Sequence, residues 1–518
     1  MMNKMIIYPV LFAVNSILLQ FSANVSDIAL GELIPSIVII PLLCGGLYWL
    51  LARIVKNYHR AGFLTFLIEI WFFHYGTVHQ MLHPHLTGGA ASASHWYLLP
   101  LWSLLFACLG SCWLWKRIHH PDAITNFLTF LSALLVLFSV GRIALDVIPR
   151  YLKSTVNEEL IQALPGYPPS VLPDIYTIIL DGYARQDVLA ELYEFNNQPF
   201  IHELEKRGFQ VATQGRSNYS QTALSLASTL NMDYLNDLNP ALPDRGQLIG
   251  QISHSQVRAI LEGYGYQTVA LSSGYLPTEI SDADQYITPP TTGHNDDLEA
   301  LLAVNTITRP FFENGWLDLP ISRYLATQER IQITFQTLSS LADVPSPKFI
   351  FAHLLIPHPP FIFAEDGPVT PDEFYILADG ERLGVSTEAY QKGYTAQIQF
   401  TNHHILSTID AILANSEQPP IIIIQADHGP GLFFQTGSAA GTCHYERFSI
   451  LSAIYLPANQ QVDIPEGLIA VNLFRMILNT IFEATLQYLP ERQYYSTWNQ
   501  PYQFIDVSDL INNPCPKP

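Results

Sequence analysis

Five apolar runs, each long enough to cross a bilayer, crowd the first 150 residues, and they dictate a membrane domain before any motif is read. They cover residues 5–21, 33–51, 62–82, 96–115 and 127–148. Threading the chain five times puts Lys4, the trio Arg53, Lys56 and Arg60, and the pair Lys116 and Arg117 on one side. The loops on the other side, residues 22–32 and 83–95, contain no Lys or Arg. By the positive-inside rule the N-terminus is then cytoplasmic, and everything after the fifth run lies outside the cytoplasm. A cleaved signal peptide is the competing account of the first run, because residues 1–4 make a short basic n-region. An uncleaved helix is preferred, since the charge count works only with five spans.

Charge divides the chain in the same place. The first 150 residues hold 8 of the 25 Lys+Arg and 5 of the 45 Asp+Glu, so the remainder is strongly acidic. Such a surface repels polyanions, which argues against nucleic acid as a partner. With 49% hydrophobic and 14% charged residues, disordered, collagen-like and coiled-coil architectures are excluded as well. Cys44, Cys108 and Cys112 fall in the apolar runs and read as small apolar side chains. Cys443 and Cys515 lie outside them, where an oxidising compartment permits a disulfide, although their spacing does not require one.

The third run carries Glu69, His74 and His79, with His83 just beyond. Ionisable groups at membrane depth are costly and point either to a polar lipid head group or to hydrogen bonding between helices. Residues 151–164 suit a short amphipathic helix, and Pro165, Pro168, Pro169 and Pro173 make an extended linker. The expected organisation is a five-span transmembrane domain over 1–150, a linker over 151–172 and an extracytoplasmic domain over 173–518.

Beyond the linker, short runs rich in β-branched residues alternate with helical stretches. Residues 174–180, 209–213, 268–271, 348–354 and 421–425 have strand character, and 198–207 and 390–413 have helical spacing. This rhythm predicts an α/β domain built on a mostly parallel sheet flanked by helices, with ligands bound beyond the carboxyl ends of the strands. Two strands end in acids there: Asp181-Gly182 after the first, and Ala426-Asp427-His428-Gly429 after the run IIIIQ. A carboxylate beside an imidazole at a strand end is a metal-ligand pattern, and Asp181 adds a second anion. The alternative is an Asp that caps the next helix beside a surface His.

The segment SNYSQTALSLAST, residues 217–229, supplies a nucleophile candidate in Thr222. A hydroxyl at a helix N-terminus sits beside backbone N–H donors that favour an anion. Local sequence alone favours the plainer reading, in which Ser220 or Thr222 is the helix N-cap.

Taken in order, LDGYAR, SNYSQTALSLAST, FAHLLIPHPPF, QADHGPG and HYERFSILSAIYLP resemble the sulfatase-like branch of the alkaline phosphatase superfamily. Five spans before an external domain also look like lipoteichoic acid synthases and lipid A phosphoethanolamine transferases. The resemblance implies an alkaline-phosphatase-like fold and one divalent metal, manganese or zinc before magnesium or calcium, held by Asp181, Thr222, Asp427 and His428. It implies Thr222 as nucleophile, His358 as a substrate contact and His444 as another active-site histidine. No C/S-x-P-x-R context surrounds Thr222, so formylglycine chemistry is not supported, and the second acid of an Asp-Asp pair is here Gly182. His353, in an apolar run, reads as a core histidine.

The expected activity is metal-dependent transfer or hydrolysis of a phospho-group at the cell membrane, with a lipid-linked donor or an envelope glycan as partner. A sulfate or phosphate ester hydrolase acting on extracellular glycans, and a catalytically silent glycan- or partner-binding relative, are the alternatives.

Overall fold

A computed structural model describes residues 6–25, 28–86, 91–115, 121–148, 157–165, 172–242, 245–289, 297–313, 316, 320–369, 379–380, 385–457 and 462–515. Lys4, Lys116 and Arg117, and most of the expected linker, lie outside the described residues. The chain divides into two compact units, Met1–Ile148 with His294–Arg323, and Pro149–Gly293 with Tyr324–Pro518. His294–Arg323, which a linear division leaves with the later domain, therefore groups with the first unit.

Among the described residues before 150, the first unit contains six α-helices: α1 (Tyr8–Ala23), α2 (Leu33–Val55), α3 (Tyr58–Phe73), α4 (Tyr75–Leu86), α5 (Ala91–Trp115) and α6 (Pro121–Val147). Among the described residues, three helical segments, built on α2, α5 and α6, are long and apolar enough to cross a membrane, and a fourth span results if α3 and α4 count as one. The helix α1 has 16 residues, about 24 Å at 1.5 Å per residue, which is short for a hydrocarbon core of about 30 Å. Leu42, Phe130 and Leu137 stand 71%, 68% and 69% exposed, so these helices turn apolar side chains outward.

The third apolar run is not one straight helix. It bends by 45° between α3 and α4. In an unbroken helix the carbonyl of Phe72 would accept from the N–H of Gly76. Here it accepts from Ile307 at 2.9 Å, and the backbone of Val304 and Asn305 fills the place a Cβ on Gly76 would take. A partner remote in sequence thus replaces the lost helical bond.

The second unit is built on a seven-stranded sheet in the order β2-β9-β8-β1-β5-β3-β4. Its strands are β1 (Ile175–Leu180), β2 (Phe209–Val211), β3 (Gln267–Leu271), β4 (Gln285–Ile287), β5 (Lys348–Leu354), β8 (Ile421–Ala426) and β9 (Ser452–Tyr455). The numbers β6 (Phe363–Ala364) and β7 (Gly367–Pro368) belong to a small hairpin, and β10 (Tyr494–Thr497) and β11 (Gln500–Asp506) to another. Among the described residues the two antiparallel pairings are β2–β9 and β9–β8, so β9 alone runs against the other strands and the sheet is mostly parallel.

Every residue of β1, β5 and β8 is buried, as expected for strands covered on both faces. Tyr176, Ile178 and Leu180 pack on one face with Tyr394, Ile398 and Ile405 of the helix Thr387–Asn415. Ile175 and Ile179 pack on the other with Leu226 of the helix Thr222–Asn231 and Ile477 of Leu473–Ile481. At the amino ends Asp174 takes both the backbone N–H and the ammonium of the buried Lys348, which pins β1 to β5. Cys443 and Cys515 form a disulfide with Cα atoms 5.1 Å apart.

Candidate active site

Strand register alone gathers the acids. The strands β8, β1 and β5 are neighbours, and Leu180 pairs with Ala426 on one side and Leu354 on the other. Asp181 and Asp427 therefore emerge together at the carboxyl edge, and His353, opposite Ile179, sits one residue inside it. One oxygen or nitrogen from each of Asp181, His353 and Asp427 lies within 4.8 Å of the others, and all three residues are buried. Nε2 of His353 is 3.5 Å from Asp181 Oδ2.

Three atoms in this cluster are orphaned. Asp181 Oδ1, Asp427 Oδ2 and His353 Nε2 are buried with no hydrogen-bond partner among the described residues. Orphaned buried acceptors are costly in a folded chain, and a divalent cation satisfies this combination of two carboxylates and an imidazole. The remaining atoms are already held. Asp427 Oδ1 accepts from the Gly182 N–H at 3.0 Å, and His353 Nδ1 is 2.9 Å from Thr278 Oγ1, which fixes the ring so that Nε2 faces the acids. The residues present fit a metal.

Two glycines make room. Gly182 has φ +74°, which lets its N–H turn to Asp427. A Cβ on Gly429 would collide with the backbone carbonyl of Glu446, so the chain after His428 passes where only glycine fits.

His428 and Thr222 complete the cluster. His428 Nε2 is 3.6 Å from Asp181 Oδ1 and 3.4 Å from Asp427 Oδ2. Its Nδ1 lies 2.8 Å from the Gly429 carbonyl, so Nδ1 carries the proton and Nε2 keeps its lone pair. Burial, with Arg447 beside it, lowers the imidazole below its ordinary value, consistent with a neutral ligand. Thr222 is the first residue of its helix, after Gln221 as N-cap, and Gln221 makes no side-chain cap bond. The Thr222 hydroxyl instead lies 3.1 Å from His428 Nε2.

Electrostatics favour charge on the acids. Burial works to raise the Asp181 carboxyl, yet His358, His353 and His428 around it hold it well below the usual carboxylate range. The carboxyl of Asp379 is likewise buried, and Arg447, His358 and His428 keep it low.

These groups line a cleft of about 80 Å³ shared by Asp181, Thr222, His358, Asp379, His428 and Arg447. Gln221, Tyr275, Phe434 and Trp498 also reach it. His358 sits at the mouth with Nδ1 2.5 Å from the Pro359 carbonyl and Nε2 3.9 Å from Asp379 Oδ2. Arg447 pairs with Asp379 and donates to the carbonyls of Ser220 at 2.8 Å and Gly429 at 3.0 Å. Arg245 donates to Gln221 Oε1 at 3.0 Å through Nε, and its guanidinium lies 3.8 Å from the centre of the Trp498 ring.

The structure thus brings together Asp181, Thr222, Asp427, His428 and His358. It leaves His444 out of that cleft, its ring 6.0 Å from Phe448 and 6.1 Å from Tyr495 between centroids. His353 and Asp379 join the cluster without having been singled out as site residues. The local signal for His353 is its position one residue before the end of a buried strand, where an apolar run disguises it. Asp379 has no such signal.

The family model for Sulfatase matches residues 173–506. No curated protein matches the chain. Among solved structures, the zinc complex of the C-terminal periplasmic domain of EcEptC from Escherichia coli is 13% identical, covering 68% of this chain and 98% of that one, with a TM-score of 0.43. The integral membrane lipooligosaccharide phosphoethanolamine transferase A from Neisseria meningitidis is 12% identical, covering 92% and 95%, with a TM-score of 0.41. An alkaline phosphatase superfamily protein from Vibrio parahaemolyticus is 12% identical, covering 68% and 80%, with a TM-score of 0.41.

Proposed function

The chain belongs to the sulfatase family, and from that premise we propose that it is a membrane-anchored, metal-dependent enzyme that transfers a phospho-group through Thr222. The observation that carries this reading is the Thr222 hydroxyl, 3.1 Å from His428 Nε2 at the start of a helix, beside two buried acids. A threonine cannot be converted to formylglycine, which favours phosphodiester over sulfate ester chemistry for this site.

Asp181, Asp427 and His428, joined by His353, would hold a divalent cation with the Thr222 oxygen beside it. Such an ion supplies neutralisation of the charge on the transferred group and acidification of a nearby hydroxyl. Thr222 Oγ1 attacks phosphorus, an O–P bond forms, and the ester bond to the leaving lipid oxygen breaks. The proton lost by Thr222 balances the one gained by that oxygen, and His358, with Nδ1 occupied by Pro359, has Nε2 for the transfer. An acceptor hydroxyl, or water, then displaces Thr222 and restores its hydroxyl. Arg447 holds Asp379 and the loop carbonyls around the nucleophile.

A donor carried by a lipid suits a chain with apolar helices of spanning length, and threading the five apolar runs of the sequence by the charge rule puts the acidic second unit outside the cytoplasm. The test is metal analysis of the purified full chain together with turnover of lipid phosphodiesters. About one manganese or zinc per chain, with turnover lost in T222A while the fold persists, supports the proposal. Absence of both metal and turnover leaves a binding protein and overturns it.

A further inference from the structure

Glu69 lines an apolar cavity of about 450 Å³ walled by Ile39 and Leu43 of α2, Phe72 and Phe73 of α3, and Leu302 of the helix Asp297–Asn305. The cavity belongs to the first unit and has no part in the site beyond the sheet. Its size falls in the range of about 300–1,000 Å³ usual for small-ligand pockets. Glu69 is 2% exposed, and among the described residues its carboxyl oxygens meet no hydrogen-bond partner stronger than the weak Cys44 thiol. Among the described residues, no Lys or Arg lines the cavity.

Ser36, Cys44, Glu299, Thr306 and Thr308 are the other polar residues of a lining that is otherwise hydrocarbon, and a carboxyl group in such a setting is costly until it finds a partner. Ionised, it needs a cation that the cavity lacks. Protonated, it is an O–H donor in search of an acceptor. The walls continue onto an exposed apolar surface, where Ile39 and Leu43 are 54% and 67% exposed. The hydrocarbon that a bilayer delivers there is an acyl chain, and the acceptor at its head end is an ester carbonyl.

We propose that this cavity seats one acyl chain of a membrane glycerolipid, with the Glu69 carboxylic acid donating a hydrogen bond to that chain's ester carbonyl. Leu43, Phe72 and Leu302 enclose the methylene chain. Glu69 sets the depth at which the ester stops. The seat goes beyond the catalytic reading and does not depend on Thr222.

The test uses the full chain in lipid nanodiscs containing a trace of phosphatidylcholine with a diazirine in its tail, either as the diester or as the diether analogue. Cross-links on peptides spanning α2 and α3 are counted by mass spectrometry. The diester is expected to label about fivefold more than the diether, the ratio that one neutral hydrogen bond sustains. E69Q, whose amide still donates, keeps that preference, and E69A loses it. T222A labels like wild type, which separates failure of this seat from failure of the catalytic proposal. Equal labelling by diester and diether in wild type overturns the proposal without relying on any variant's fold. Labelling in E69A equal to wild type overturns it too, as does labelling that E69Q abolishes and only an amine-bearing lipid supports, which would mark an ion pair instead.

Discussion

The hydroxyl of Thr222 lies 3.1 Å from Nε2 of His428, although 206 residues separate the two along the chain. Helix and strand meet there because the helix Thr222–Asn231 packs on the sheet face that also holds Ile175 and Ile179, and Ser225 of that helix donates to the Asp427 carbonyl at 2.6 Å. T222A is expected to lower turnover on the order of 10³-fold or more, because it removes the attacking hydroxyl itself. T222S, which keeps the hydroxyl, should retain most of it. Unfolding of T222A should move by no more than about 1 kcal/mol, since the side chain is only partly buried and caps nothing. Turnover of candidate lipid phosphodiesters and thermal melts of the same preparations check both.

The acid cluster makes metal affinity sensitive to residues at two depths. H353A removes one of three orphaned atoms that a cation would satisfy, and D181N removes a charge. T278V replaces no ligand but frees the His353 ring from the 2.9 Å contact that orients it, a change expected to cost roughly 10–100-fold in affinity. Calorimetric titration with manganese and zinc should rank T278V between wild type and H353A. Wild type should also gain about 2.7 kcal/mol of stability at a cation concentration 100 times the dissociation constant. T278V binding as wild type does would break the link.

Much of this site was legible in the strand ends. Asp181 and Asp427 each close a buried β-branched run, and a polar residue at such a border has few structural reasons to be there. Which strands are neighbours is not written locally: the order β8-β1-β5 joins segments far apart in the chain. For that reason His353, surrounded by apolar residues in β5, read as core until β1 was found beside it. His358 was legible from its rigid proline-flanked loop, whereas His444, close to Glu446 and Arg447 in sequence, turns to Phe448 and Tyr495. The bend at His74 had no sequence signal, because the group that replaces the lost helical bond comes from Ile307.

Glu446 gives the second unit a pH dependence that can be signed. Burial pushes its carboxyl up to about 8, while Tyr193 and the Phe433 N–H donate to it. The folded chain therefore holds a proton that the unfolded chain releases near 4.5. The contribution of Glu446 is present in full below that pH and is lost as pH rises through about 8. Melting temperature measured from pH 5 to 9 should fall for wild type, and E446Q, which cannot ionise, should flatten that fall. A steeper fall in E446Q contradicts the assignment.

The Cys443–Cys515 disulfide closes a loop of 72 residues that includes the helix His444–Phe448. Chain-entropy reasoning puts its contribution at roughly 4 kcal/mol or less. C515S, or wild type made in a reducing compartment, should melt several degrees lower, with activity reduced further because Arg447 rides on that helix. Equal melting of oxidised and reduced protein would count against a structural role.

The most direct test is intact-protein and peptide mass spectrometry after brief exposure of the metal-loaded full chain to candidate lipid phosphodiesters. A mass increment equal to the phospho-head group, on the peptide holding Thr222 and absent in T222A, is the expected result. Turnover with no increment at Thr222, or an increment on another residue that T222A does not remove, would contradict the account.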